Sequence, residues 1–334
     1  MMAPLYTRRV TRRFRFRQVD VFTDTPLCGN PLAVFVDADG LTDTEMQGLA
    51  REMNLSETAF VLPPTAAGAA AGASHRLRIF TPGMELPFAG HPAIGAAWVL
   101  ADEGLIALEG PRHVVRQETV LGVMRLALAV THESGAARPT EVTMIHRDVE
   151  LLERLDGDEL AELCEALEIP SNQIGWRSGG RKRKARPQVI SAGLPHLIVP
   201  IPDREVLMDI DHERRAYVAE ICHAMGCDSA ALVAPGGSGA IADADVTVRL
   251  FDAASLRIDA DPATGAAAGP IAVFLGQLVP ARDTTFSVVI EQGAELGRPS
   301  RLAAAADFDA SGAPAEVRVT GAVVPVIEGW VTLP

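Results

Sequence analysis

Three residues of this chain have the types and settings that acid/base chemistry needs. Glu57 stands in Asn54-Leu55-Ser56-Glu57-Thr58-Ala59-Phe60-Val61, at the mouth of a strand whose following residues are mostly apolar. A carboxylate pressed against apolar neighbours has a raised pKa and can shuttle a proton near neutrality. By itself, Glu57 also fits an ordinary strand-edge residue. His91 and Asp261 each open a copy of one block. His91-Pro92-Ala93-Ile94-Gly95-Ala96-Ala97 recurs as Asp261-Pro262-Ala263-Thr264-Gly265-Ala266-Ala267, five of seven positions identical at an offset of 170 residues. Singly, Asp261 reads as a helix N-cap serving the N–H of Ala263 or Thr264, and His91 as a satisfied core histidine. Their equivalence in a repeat tips both toward function.

Around these residues the chain repeats itself in order. Arg78-Ile79-Phe80 matches Arg249-Leu250-Phe251 at an offset of 171, and residues 53–63 match 225–235 at 172. Gly29-Asn30-Pro31-Leu32-Ala33-Val34-Phe35 faces Gly193-Leu194-Pro195-His196-Leu197-Ile198-Val199 at 164. Such ordered blocks at near-constant offset mark a duplicated fold. Glu57 falls opposite Ser229, so the acid belongs to one half only.

The elements that must hold these residues follow from periodicity. Alternating or β-branched runs predict strands at 16–22, 32–36, 59–62, 77–80, 114–118 and 142–145. The second half offers 189–191, 197–201, 231–234, 246–251, 286–291 and 317–319. Amphipathic helices are expected at 42–53, capped by Thr42 or Asp43, at 213–225 and at 156–168. The repeated block begins a different kind of helix. Residues 93–100 and 263–275 are apolar nearly all round and rich in Ala and Gly, which predicts a helix buried on every side. Pro92 and Pro262 suit its first turn, whereas Pro270 should kink or shorten the second copy.

The expected architecture is α+β: two pseudo-symmetric lobes, each a curled, mostly antiparallel sheet around a central buried helix. The N-terminal lobe spans 14–150, a linker 151–187 and the C-terminal lobe 188–334. Segments 78–100 and 249–275 should superpose by about a half turn and lie in separate sheets. That symmetry brings the two central helix N-termini together across the cleft. Their unpaired N–H groups and positive dipole ends offer a carboxylate site at Gly90, Gly265 and Ala266.

Composition narrows the partners. A net charge of −13 and a pI near 5.1 argue against nucleic acid, which needs a basic face. The basic run at 181–186 reads as a solvated loop. No apolar run is long enough to span a membrane. Cys28, Cys164, Cys222 and Cys227 lack metal-site spacing and read as reduced thiols in a cytoplasmic protein. The arginines from Arg8 to Arg17 precede no apolar core, so they read as a frayed tail rather than a secretory signal. Phosphate-binding loops, zinc-protease helices and nucleophile elbows are absent from the sequence.

Phe22-Thr23-Asp24, the block 29–34, Asn54 to Phe60, Arg78 to Pro82 and Glu85 to Pro92 resemble the PhzF-like family. So do Asp261 to Gly265, Glu291-Gln292-Gly293 and Gly297-Arg298-Pro299-Ser300, in order from about residue 16 to the C-terminus. The resemblance implies the diaminopimelate-epimerase-like fold, a homodimer, no cofactor and no metal. It also implies an isomerase acting on a small carboxylate, in the manner of trans-2,3-dihydro-3-hydroxyanthranilate isomerase. By resemblance Glu57 is the proton shuttle, His91 and Asp261 hold substrate polar groups, and N–H groups near Gly90, Gly265 and Ala266 bind its carboxylate. The family usually has Ser where this chain has Ala266 and Glu where it has Ala260, which implies a different preferred substrate. A two-cysteine racemase is set aside, because no cysteine falls at either central helix N-terminus. The alternatives are an epimerase or racemase of another type, or a binding protein that keeps the fold without the reaction.

Overall fold

The computed structural model describes residues 11–133, 135–178, 181–183, 185–227, 229–252, 260–279 and 282–334. The arginines up to residue 10, and Lys184 of the basic run, lie outside these residues. Arg12 to Arg17 are not a tail but the start of the first strand, Arg12–Val21. Arg15 and Arg17 bridge to Glu103, and Arg17 also approaches Asp102, at the C-terminal end of the first central helix. Cations belong there, beside two carboxylates and a negative dipole end.

The same ladder is built twice. Strand Asn30–Phe35 runs parallel to Glu57–Leu62, which pairs antiparallel with His75–Phe80, which runs parallel to Arg112–Thr119. In the second half Pro195–Pro200 runs parallel to Ser229–Pro235, which pairs antiparallel with Val246–Asp252, which runs parallel to Thr284–Gln292. Antiparallel hairpins extend each series, through Gly122–Glu133 and Ala136–His146 in one and Ser300–Phe308 in the other. Each ladder curls around its own helix, and the two-lobed α+β class holds.

Separate sheets do not. The final strand, Pro314–Leu333, is 20 residues long and serves both lobes. Its first part pairs with Ser300–Phe308 and Ala136–His146, and its last part with Arg12–Val21, from Val21↔Val323 to Arg12↔Leu333. The hydrogen-bonded ladder is therefore continuous from lobe to lobe. Between them, helix Gly157–Ala166 packs Leu160 and Leu163 into one cluster with Val189, Leu197 and Val199. The basic run is not simply a loop either, since Arg181–Arg183 pairs with Trp176–Ser178 as a short ribbon.

The central helices are Gly90–Asp102 and Gly265–Gln277, each buried at every residue but its last. Pro262 stands before the second helix rather than in its first turn, because Thr264 is the N-cap. Pro270 does not end that helix, which continues to Gln277. The bond Pro270 cannot make would reach back only to Ala266, in the first turn, so little of the ladder is lost.

One buried aromatic locks the long strand to this centre. Phe22 leaves the first strand with φ of 66°, unusual for a bulky side chain. Its ring lies so close to Gly321 that a Cβ there would meet Phe22 Cδ1 at 2.3 Å. Gly321→Ala should therefore destabilise the protein by about 1–3 kcal/mol, read as a lowered urea midpoint with an unchanged slope.

Candidate active site

The two central helices start against one another. A Cβ on Gly90 would lie 2.7 Å from the amide nitrogen of Ala266 and 2.8 Å from the carbonyl carbon of Gly265. Only glycine lets the backbones approach this closely. Neither helix opens on a side-chain cap. The outer helices Asp43–Met53, Gly157–Ala166 and Arg204–Asp209 do, through Thr42, Asp156 and Asp203. Two positive dipole ends thus face each other in the interior with neither capped by its own N-cap side chain, an arrangement suited to an anion.

A cavity of about 130 Å³ lies over this junction, and Gly90, Gly265 and Ala266 form part of its wall. Glu57, His91 and Asp261 line the same cavity, so the structure brings all six sequence-derived residues together. Glu57 is the first residue of its strand, parallel-paired with Leu32, and keeps 8% of its surface exposed. Its Oε2 lies 3.6 Å from His91 Nε2. Burial pushes the His91 imidazole down to about 3, although one ring N–H donates to the Pro31 carbonyl. His91 is therefore neutral at physiological pH and can offer a hydrogen bond without adding charge.

Asp261 is held by neighbours on three elements. Asn30 Nδ2 donates to its Oδ1 at 2.6 Å and to the Ala263 carbonyl at 2.9 Å, and lies 3.3 Å from His91 Nδ1. One amide thus lies against both equivalent positions of the repeat, its two hydrogens going to Asp261 and Ala263. The Thr264 hydroxyl donates to Asp261 Oδ2 at 2.6 Å. Gln292 accepts from the Thr264 N–H at 3.0 Å and donates to the Asp261 carbonyl at 2.8 Å. Burial raises the Asp261 pKa, and the hydrogen bonds from Thr264, Ala263 and Asn30 oppose that rise. The capping role is thereby corrected. Thr264 is the cap residue, its N–H is taken by Gln292, and Asp261 reaches only the Ala263 N–H, at 3.4 Å.

Sequence reasoning passed over Asn30, Thr264 and Gln292 as site residues, although each lies in a block it had singled out. It also passed over His196, which lines the cavity and bonds Ser229 Oγ through Nδ1 at 2.7 Å. The signal was present, because Ser229 is the repeat partner of Glu57.

Comparison with known proteins gives the family and the fold. The family described as phenazine biosynthesis-like protein matches residues 19–329. An uncharacterized isomerase of Mesorhizobium japonicum is 32% identical over 312 residues, 93% of this chain and 96% of that protein. The trans-2,3-dihydro-3-hydroxyanthranilate isomerase of Pseudomonas chlororaphis is 34% identical over 297 residues, 86% of this chain and 89% of its own. In structure, the phenazine biosynthesis protein of the PhzF family from Bacillus anthracis superposes with a TM-score of 0.78. It is 23% identical, covering 96% of this chain and all of that one.

The two cavity histidines should dominate acid stability. Burial takes His91 to about 3 and His196 to about 4, against an ordinary 6.5. With the folded pKa lowered, the unfolded chain binds more protons, so stability is full above 6.5 and falls as pH drops toward 4. Each histidine should account for roughly 3 kcal/mol of that loss at pH 4. Urea unfolding of His91→Asn and His196→Asn between pH 4 and 7 should show a flatter pH dependence than the parent. An unchanged slope would contradict buried neutral imidazoles.

Proposed function

The chain belongs to the phenazine biosynthesis-like protein family and is an isomerase, and from that premise we propose that Glu57 moves a proton within a small carboxylate. A cyclic or amino-acid-like skeleton fits best, as in the isomerisation that gives the Pseudomonas chlororaphis relative its name. The observation that carries this reading is the junction of two uncapped helix N-termini beside the Glu57 carboxylate.

In this scheme the substrate carboxylate sits on the N–H groups around Gly90, Gly265 and Ala266. Glu57 removes a proton from one carbon, and the C–H electron pair passes into the conjugated system. The negative charge spreads toward the carboxylate, where the helix ends are already oriented to meet it. Glu57, now protonated, returns the proton to a second carbon of that system. His91 supplies a neutral hydrogen bond to a substrate polar group. Asp261, fixed by Asn30 and Thr264, orients another.

Solvent deuterium separates this reading from a binding protein that keeps only the fold. Incubation in D2O with a panel of cyclic and amino-acid carboxylates should wash label into a carbon-bound position of the true substrate. Glu57→Gln preserves the shape but cannot accept the proton, and should slow wash-in by ~10²–10⁴-fold with little change in affinity. Near-full exchange in that variant would place the base elsewhere. Ala266→Ser keeps the backbone N–H, so it should leave carboxylate binding intact while shifting preference within the panel. Loss of carboxylate binding in Ala266→Ser would count against backbone recognition.

A further inference from the structure

The second lobe contributes a polar pair to the cavity that the proton transfer above does not use. His196 and Ser229 sit on neighbouring parallel strands, Pro195–Pro200 and Ser229–Pro235, in the arrangement that carries Leu32 and Glu57 in the first lobe. His196 is 6% exposed and Ser229 is 5% exposed, and both line the cavity. His196 Nδ1 is engaged by the Ser229 hydroxyl at 2.7 Å. The other ring nitrogen, Nε2, is buried and meets no hydrogen-bond partner among the described residues.

A buried polar atom left without a partner costs roughly 1–3 kcal/mol, so such atoms persist where something else satisfies them. Leu86, Phe88, Leu194 and Leu250 supply much of the apolar part of the same cavity lining. A single hydrogen-bonding point on an apolar wall fixes orientation and selects for one substituent. We propose that His196, positioned by Ser229, binds a hydroxyl or amino substituent on the body of the substrate. It is thereby a specificity-determining residue of this site. Burial keeps the ring neutral, so Nε2 meets the substituent as a hydrogen-bonding group and not as a counter-ion. The cavity volume of about 130 Å³ is a little below the about 150 Å³ that accommodates benzene, so the body of the substrate is no larger than one small ring.

This inference rests on the carboxylate anchor proposed above, and the test separates the two. Benzoate, the three monohydroxybenzoates and phenol are titrated into the protein by calorimetry, and the imidazole ¹⁵N resonances are followed by NMR. Benzoate should bind, and one hydroxybenzoate should bind roughly 3- to 10-fold more tightly. That isomer and phenol should move the His196 Nε2 resonance, whereas benzoate should not. In His196→Leu the preference should vanish while benzoate affinity stays. His196→Gln, which keeps a donor and an acceptor, should restore part of it. The NMR arm uses the parent protein, so it decides even where a variant folds poorly. If benzoate binds but no hydroxyl improves affinity or moves Nε2, or if the preference survives in His196→Leu, His196 is not the recognition group. If phenol moves Nε2 while benzoate does not bind, the anchor reading fails and this one stands. If neither binds, both are overturned.

Discussion

Everything at the centre of this protein follows from one steric constraint: two helix backbones touch at their N-termini. The approach of Gly90 to Gly265 and Ala266 leaves no room for a β-carbon. It also brings the positive ends of two helix dipoles to one buried point. A side-chain cap at either end would have quenched that potential, yet Ala89 cannot cap and the Thr264 hydroxyl is turned to Asp261. Potential, cavity and polar side chains all converge there because the chain brings two equivalent helix starts into contact.

Holding them in contact requires the lobes to be rigidly joined. The 20-residue final strand does this by pairing with both ladders, and it closes the first one between Ala136–His146 and Arg12–Val21. Phe22 transmits that register to the junction. Its left-handed backbone turns the ring between Gly321 of the long strand and Gly265 of the second helix, where a Cβ would lie 2.9 Å from Phe22 Cζ. The backbone N–H of Phe22 donates to Ala322 and its carbonyl accepts from Arg301, fixing the strained residue at both ends. Strain of this kind persists only where surrounding structure over-determines it, and it lies beside the functional site.

Much of this was legible in the residues, for physical reasons that differ by element. The duplication survived as ordered blocks because both copies must solve the same packing problem. The central helices were legible because a helix buried all round needs small apolar residues on every face. Strand Ser300–Phe308 was not legible, since four consecutive alanines between Leu302 and Asp307 favour helix locally. Its alternating burial shows pairing with two neighbours overriding that preference. The continuity of the sheet was hidden for a related reason, because nothing local marks one strand as belonging to two lobes. At the site, single residues were found by type and repeat position, but their connections were not. That Asn30 sits between Asp261 and the ring of His91 depends on side chains 61 and 231 residues apart.

The duplication also explains why the cavity has two unlike walls. A symmetric pair of helix starts would hold a carboxylate but treat both faces of the substrate alike. Divergence at equivalent positions removes that equality. Glu57 faces Ser229, and His91 faces Asp261, so one lobe carries the carboxylate able to transfer a proton and the other carries neutral hydrogen-bonding groups around a buried acid. On the proposed reading, a single carrier on one wall removes and returns the proton on the same face. The second wall, freed from proton transfer, is left to read the substituents. Chemistry and recognition are then separable on opposite lobes. Changes such as Ala266 can retune the substrate, while the Glu57 wall and the helix junction that orients it stay as they are.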